Sequence, residues 1–286
     1  MPELPEVETI VRDLAPKLAG VKIKSFKLLH RSLINVSPAV WGRRVVGQKI
    51  IKVWRRGKQI IFDLASGEHL VIHLKMTGQL ILKSHHKLIV GGHPIVGVGQ
   101  DLPNKFTRAI FTFSDGGQLF FNDVRKFGWL RLHPASELTA KLARLGLEPL
   151  AGQLKGSQLA AIFKNKSKSQ IKSALLDQTK IVGIGNIYAD ESLWLARIKP
   201  SRRVEAIKPK EWQALASAIQ QVLKLSIKHR GTSFSDYRDA SGAKGNYLSK
   251  LKVYGRAGQP CPRCGRPIKK TKLGGRGTHY CENCQK

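Results

Sequence analysis

Four cysteines constrain this chain more than any other feature. They are its only cysteines, and all lie after position 260, as Cys261-Pro-Arg-Cys264 and Cys281-Glu-Asn-Cys284 with sixteen residues between the pairs. A double Cys-x-x-Cys at this spacing is how two knuckles on a β-hairpin close a tetrahedral four-thiolate zinc site. A redox dithiol is the alternative reading. Two matched pairs in a basic tail with almost no core favour one structural zinc ion instead, because so short a segment does not fold without a staple. Four thiolates leave no open coordination position, so the module is expected to hold and not to catalyse. Such thiolates suit a reducing compartment. No run of 18 apolar residues exists, and Met1-Pro2-Glu3 opens with acid where a signal peptide needs basic residues. The expected location is cytoplasmic, with no membrane partner.

The other 250 or so residues are long enough to bury a large core. Their charge is one-sided: 50 Lys and Arg stand against 19 Asp and Glu, a formal net charge of +31. Such a field attracts polyanions, and nucleic acid is the first partner it suggests. Leu4, Val7, Val11, Leu14 and Leu18 recur at helical steps, predicting a helix at the start. Short alternating runs then predict strands: Ile50 to Trp54, Gln59 to Leu64, His69 to Leu74, Gln79 to Leu82, Thr107 to Phe113, Gln118 to Phe121 and Phe127 to Leu132. Tight turns between them imply antiparallel pairing and a β-sandwich. From Ser84 to Lys105 the alternation fails among Gly91, Gly92, Gly97 and Gly99, predicting a long loop or insertion. Its His85, His86 and His93 are too irregularly spaced to favour a second metal site. After Pro134 helical spacing returns in five segments, the last from Pro209 to His229. The chain therefore divides into an α+β region at 1–134, a helical bundle at 135–230, a polar Gly-rich loop at 231–250, and the metal module at 251–286.

Glu3, Glu6 and Glu8 fall within the first eight residues of this basic chain. They have two readings. Acids after a proline complement the positive end of a helix dipole. Alternatively, removal of Met1 before Pro2 frees a secondary amine whose reference pKa is about 8, which the helix N-terminus lowers further. That amine can attack a sugar carbon and leave an iminium, with Glu3 transferring protons and Glu6 tuning both groups. Between the knuckles, Gly274-Gly-Arg-Gly277 lets the backbone approach a duplex and offers Arg276 to a groove or phosphate.

Met1-Pro-Glu-Leu-Pro-Glu-Val-Glu-Thr9 closely resembles the start of the bacterial formamidopyrimidine-DNA glycosylases. The resemblance continues through Arg55-Arg-Gly-Lys58, His73-Leu-Lys-Met-Thr-Gly78, Asp123-Val-Arg-Lys-Phe-Gly128, Gly183-Ile-Gly-Asn-Ile-Tyr188 and the cysteine module. It implies a β-sandwich, a helix-two-turns-helix bundle and a zinc finger. It further implies excision of oxidised purines from duplex DNA in base excision repair, with β,δ-elimination and no nucleotide or redox cofactor, by a monomer. On this likeness Pro2 is the nucleophile, Glu3 the general acid/base, and Lys58 a lysine that contacts phosphate and assists strand cleavage. Lys172, Asn186, Tyr254 and Arg276 clamp the DNA backbone, Arg276 being counted with the catalytic set as well, and His73 contacts the backbone. Met76, Arg125 and Phe127 fill the void left by a flipped nucleotide, and the loop at 231–250 closes over the flipped base. At Phe106 many relatives carry a histidine, so that contact is not carried over. Two rivals stand: an endonuclease VIII-type enzyme for oxidised pyrimidines, which Leu4 disfavours, and a non-catalytic damage-binding zinc-finger protein.

Overall fold

The structure, a computed structural model, describes residues 1–84, 87–92, 101–232 and 247–286. They form two compact units, one of Met1–Ala143 with His229–Asn246 and one of Arg144–Lys228 with Tyr247–Lys286.

In the first unit, helix α1 (Leu4–Leu18) buries Leu4, Val7, Ile10, Val11, Leu14 and Leu18 along one stripe. Each such side chain contributes about 1.5–3 kcal/mol relative to exposure. The stripe joins the core of an antiparallel sandwich. One sheet runs β1 (Ile23–Leu28), β7 (Thr107–Phe113), β8 (Gln118–Asp123), β5 (Gly78–Ser84) and β6 (Lys87–Gly92). The other runs β2 (Ile50–Arg56), β3 (Gln59–Leu64), β4 (Glu68–His73) and β9 (Trp129–Pro134). Alternation sets the faces: Ile60, Phe62, Leu70 and Ile72 point inward with Leu119 and Phe121. Ile61 and Val71 point the other way and are covered by Leu138 of helix α3 (Ala135–Ala143). That contact places α3 with the sandwich, whereas the sequence grouped it with the bundle.

Strand β1, helix α2 (Pro38–Val45) and strand β6 were not among the predicted elements. Helix α2 starts at Ser37, whose Oγ accepts from the Val40 amide at 3.3 Å. Strand β6 forms inside the stretch predicted to be loop. Its Gly91 is there because α1 passes close by: a Cβ at that position would lie 2.5 Å from Ile10 Cγ1. His85, His86 and His93 lie outside the described residues, so the expectation about them does too.

The second unit contains α4 (Gly156–Phe163), α5 (Ile171–Leu175), α6 (Asn186–Leu195), α7 (Pro209–Lys228) and the hairpin β10 (Lys269–Leu273) with β11 (Arg276–Tyr280). Phe163 of α4 stacks on Trp212 of α7 at 5.8 Å, and Tyr188 of α6 bonds Ser226 of α7 at 2.6 Å. The cysteine module packs on α6, where Trp194, Val253, Ile268, Cys261 and Cys281 share one small core. Gln285 donates to the Ile198 carbonyl at 2.9 Å and the Lys286 amide to that of Arg197 at 3.0 Å, which fastens the module to the turn after α6.

Candidate active site and nucleic-acid interface

In the first unit, Pro2, Glu3 and Glu6 are buried around the start of α1. Glu6 Oε2 accepts the Glu3 amide at 2.9 Å, as in a capping box. Its Oε1 accepts the Thr232 amide at 2.9 Å and the Thr232 hydroxyl at 3.1 Å. Glu6 thus ties the start of the chain to residue 232. The expected loop continues at 233–246, outside the described residues.

Lys58, 7 % exposed, follows Gly57 in the β2–β3 turn, where φ is +56°. Arg55 braces this turn, donating to Glu8 at 2.9 Å and to the Gly57 carbonyl at 3.0 Å. Burial pushes the Glu8 carboxyl up, but hydrogen bonds and charge from Arg55 and Arg12 outweigh it and hold the group below its ordinary value. His73 is depressed to about 3, first by burial and then by the charges of Lys75 and Lys58. Its Nδ1 accepts the Lys75 amide at 2.9 Å, so the neutral ring carries its proton on Nε2.

Met76 and Phe127 are 41 % and 53 % exposed, unusual for side chains of their size. Arg125 brings them together, its Nη1 lying 2.9 Å from Met76 Sδ and its guanidinium 4.6 Å from the centre of the Phe127 ring. A buried residue the sequence reading left unassigned supports all three. Asp123 accepts from the Thr77 hydroxyl, the Arg125 amide and the Gly128 amide, fastening the 74–78 turn to the 123–128 loop. Phe106 is half-buried with Lys105 Nζ 5.2 Å over its ring.

In the second unit, Arg276 is exposed at the head of the hairpin, beyond Gly274 and Gly275, whose φ values are +53° and +76°. Asn186 opens α6 after Gly185 and donates from Nδ2 to the Gly277 carbonyl at 2.9 Å. Tyr254 is half-buried, edge-on to His279 at 5.1 Å. The amides of Lys252, Val253 and Tyr254 all point at the buried carboxylate of Glu191, at 2.9–3.1 Å. Burial nonetheless pushes Glu191 above its ordinary value.

Lys172 departs from expectation. It is fully buried, with Nζ 2.7 Å from Asp190 Oδ1, and it donates to the Gly277 carbonyl at 2.9 Å and the Thr278 hydroxyl at 2.8 Å. Its ammonium therefore faces protein and is not displayed to a phosphate. No local signal distinguishes it from the exposed lysines around it, since its partners lie in α6 and the hairpin.

The Sγ atoms of Cys261, Cys264, Cys281 and Cys284 lie within 4.8 Å of one another. Cys264–Cys281 and Cys261–Cys284 stand at 3.5 and 4.0 Å. A tetrahedral ion with thiolates at ~2.3 Å needs sulfur–sulfur distances of about 3.8 Å. These distances bracket that value, so the four residues fit one metal ion.

A sandwich with buried acids at the start of its first helix and a buried lysine in the β2–β3 turn, together with a helical unit bearing a four-cysteine hairpin in a chain of net charge +31, is the layout of a modular protein suited to a polyanionic partner. Comparison with known proteins makes this particular. Residues 1–130 match the formamidopyrimidine-DNA glycosylase N-terminal domain, residues 145–238 the H2TH domain of the same enzyme, and residues 258–286 the zinc finger found in FPG and IleRS. The formamidopyrimidine-DNA glycosylase of Pelotomaculum thermopropionicum is 42 % identical over 290 residues, covering 100 % of this chain and 99 % of that protein. That of Lactiplantibacillus plantarum is 40 % identical, with 98 % of each covered. The structure of Lactococcus lactis Fpg bound to DNA containing an abasic site is similar at a TM-score of 0.86 and 33 % identity, over 99 % of both chains. A mutant of that protein with DNA containing Fapy-dG is similar at 0.87 and 32 %, again over 99 % of both. The chain belongs to the bacterial formamidopyrimidine-DNA glycosylase family.

Proposed function

We propose that this chain is a bifunctional DNA glycosylase and AP lyase that removes oxidised purines, 8-oxoguanine and formamidopyrimidines, from duplex DNA in base excision repair. The observation that carries the proposal is the start of the chain itself, where Pro2, Glu3 and Glu6 are buried together at a helix N-terminus. Once Met1 is removed, the Pro2 nitrogen attacks C1′ of the damaged nucleotide and the base departs. The amine loses its proton, the C1′–O4′ bond of the sugar breaks, and Glu3 as general acid/base delivers a proton to O4′, which leaves a Schiff base to the ring-opened deoxyribose; β- and δ-elimination from it release the strand ends. Lys58 contacts phosphate and assists strand cleavage, and His73 donates from Nε2 to the DNA backbone as a neutral group.

Met76, Arg125 and Phe127 are assigned to the gap left when the nucleotide rotates out; their clustering, and an exposed guanidinium able to pair with the orphaned base, support that role. Asn186, Tyr254 and Arg276 hold the DNA backbone. The four cysteines take one zinc ion, which orders the hairpin and supplies no catalytic step. The working unit is a monomer on duplex DNA in the bacterial cytosol.

Borohydride trapping on a duplex with 8-oxoguanine opposite cytosine tests the chemistry. A covalent protein–DNA adduct is expected, and Pro2→Gly is expected to abolish it. DNA binding without an adduct would make the chain a damage binder, and preferential excision of thymine glycol would make it an endonuclease VIII-type enzyme.

A further inference from the structure

We propose that the buried pair Lys172–Asp190 is a positioning device for the cysteine-bearing hairpin, fixing where Arg276 meets a DNA phosphate. The inference rests on the DNA-binding reading above. The hairpin is fastened to the helices on both sides of Arg276. At the tip, Gly274 lies so close to α5 that a Cβ there would stand 2.9 Å from Ser173 Oγ. Immediately beyond Arg276, the Gly277 carbonyl accepts from both Lys172 Nζ and Asn186 Nδ2, each at 2.9 Å. The Thr278 hydroxyl accepts from Lys172 at 2.8 Å, and the His279 amide donates to Asp190 Oδ2 at 2.8 Å.

Lys172 and Asp190 are each 0 % exposed, and they meet at 2.7 Å. A buried ion pair is poor evidence for stability, because desolvation offsets most of its attraction; its better-attested use is to fix register. Here the pair contacts three consecutive hairpin residues, Gly277, Thr278 and His279, while the Arg276 side chain just before them faces solvent. A guanidinium on pinned backbone gives up less freedom when it engages a phosphate. Asp190 and Lys172 are therefore positioning residues that act through Arg276.

The test measures binding of the intact, metal-loaded chain to a duplex holding a tetrahydrofuran abasic analogue, across a salt series. Asp190→Asn is expected to weaken binding about tenfold and to lower the salt slope by about one, the signature of one lost phosphate contact. Arg276→Ala is expected to do the same, and the double variant to be no worse than Arg276→Ala alone. Because Asp190→Asn strands a buried ammonium, Lys172→Met combined with Asp190→Leu serves as the second variant, with the same loss expected and the metal retained. Wild-type affinity in either variant, or multiplying losses in the Asp190→Asn/Arg276→Ala double variant, would overturn the proposal. So would loss of the metal from both variants, which would assign the pair to folding of the hairpin. A wild-type chain that binds no duplex overturns the parent reading, and is recognised before any variant is compared.

Discussion

His73 shows how a single residue can be set for its work by its surroundings. With its pKa held at about 3 against ~6.5 in an unfolded chain, the native state prefers the neutral ring. Its contribution to stability is complete above about pH 6.5 and drains away as pH falls toward 3, by roughly 1.4 kcal/mol per unit. Urea melts of wild type and His73→Asn between pH 7 and 4 should reveal a steeper loss in the wild type. Asparagine keeps an acceptor for the Lys75 amide but takes up no proton. Lys172 teaches the complementary lesson. As sequence it is one lysine among many; its internal role is decided by Asp190, Gly277 and Thr278, which are distant in the chain. The reading by resemblance therefore misplaced it, and nothing within a few residues of it could have corrected the error.

Among the elements, local pattern served well wherever one face is apolar. The stripe of α1, the alternation of β3 and β4, and the proline start of α7 were all legible for that reason. Strand β6 was not, because its Gly91 answers to a helix that passes over it and its Gly92 to the neighbouring backbone of β5, rather than to a turn. Gly91→Val should accordingly destabilise the chain by about 1–3 kcal/mol through overpacking against Ile10, measurable as a lower urea midpoint. A matching expectation attaches to the loops at 74–78 and 123–128. Asp123→Ala leaves a buried set of donors without their acceptor, at a cost of about 2–4 kcal/mol. It should also free Met76, Arg125 and Phe127 from one another, seen as slower excision of 8-oxoguanine at saturating enzyme while binding to undamaged duplex changes little.

For the whole molecule, charge sets the first expectation. With a net charge of +31, and about four phosphates neutralised on binding, affinity for duplex DNA should fall on the order of a hundredfold between about 50 and 200 mM salt. A salt-indifferent Kd in anisotropy measurements would remove the basic clamp from the account. The cysteine module was legible almost completely, since all of its ligands lie within a short local spacing. That it shares a core with Trp194 and Val253 was not, because such packing leaves no pattern in a tail of this composition. Its dependence on sulfur has a cost. Thiolates are oxidised most readily when exposed or stripped of metal, and the agents that turn guanine into 8-oxoguanine are oxidants. Peroxide should therefore release the metal ion proposed for the four cysteines and silence DNA engagement while the cysteine-free sandwich keeps its fold, so that this repair protein is most vulnerable under the stress that creates its work.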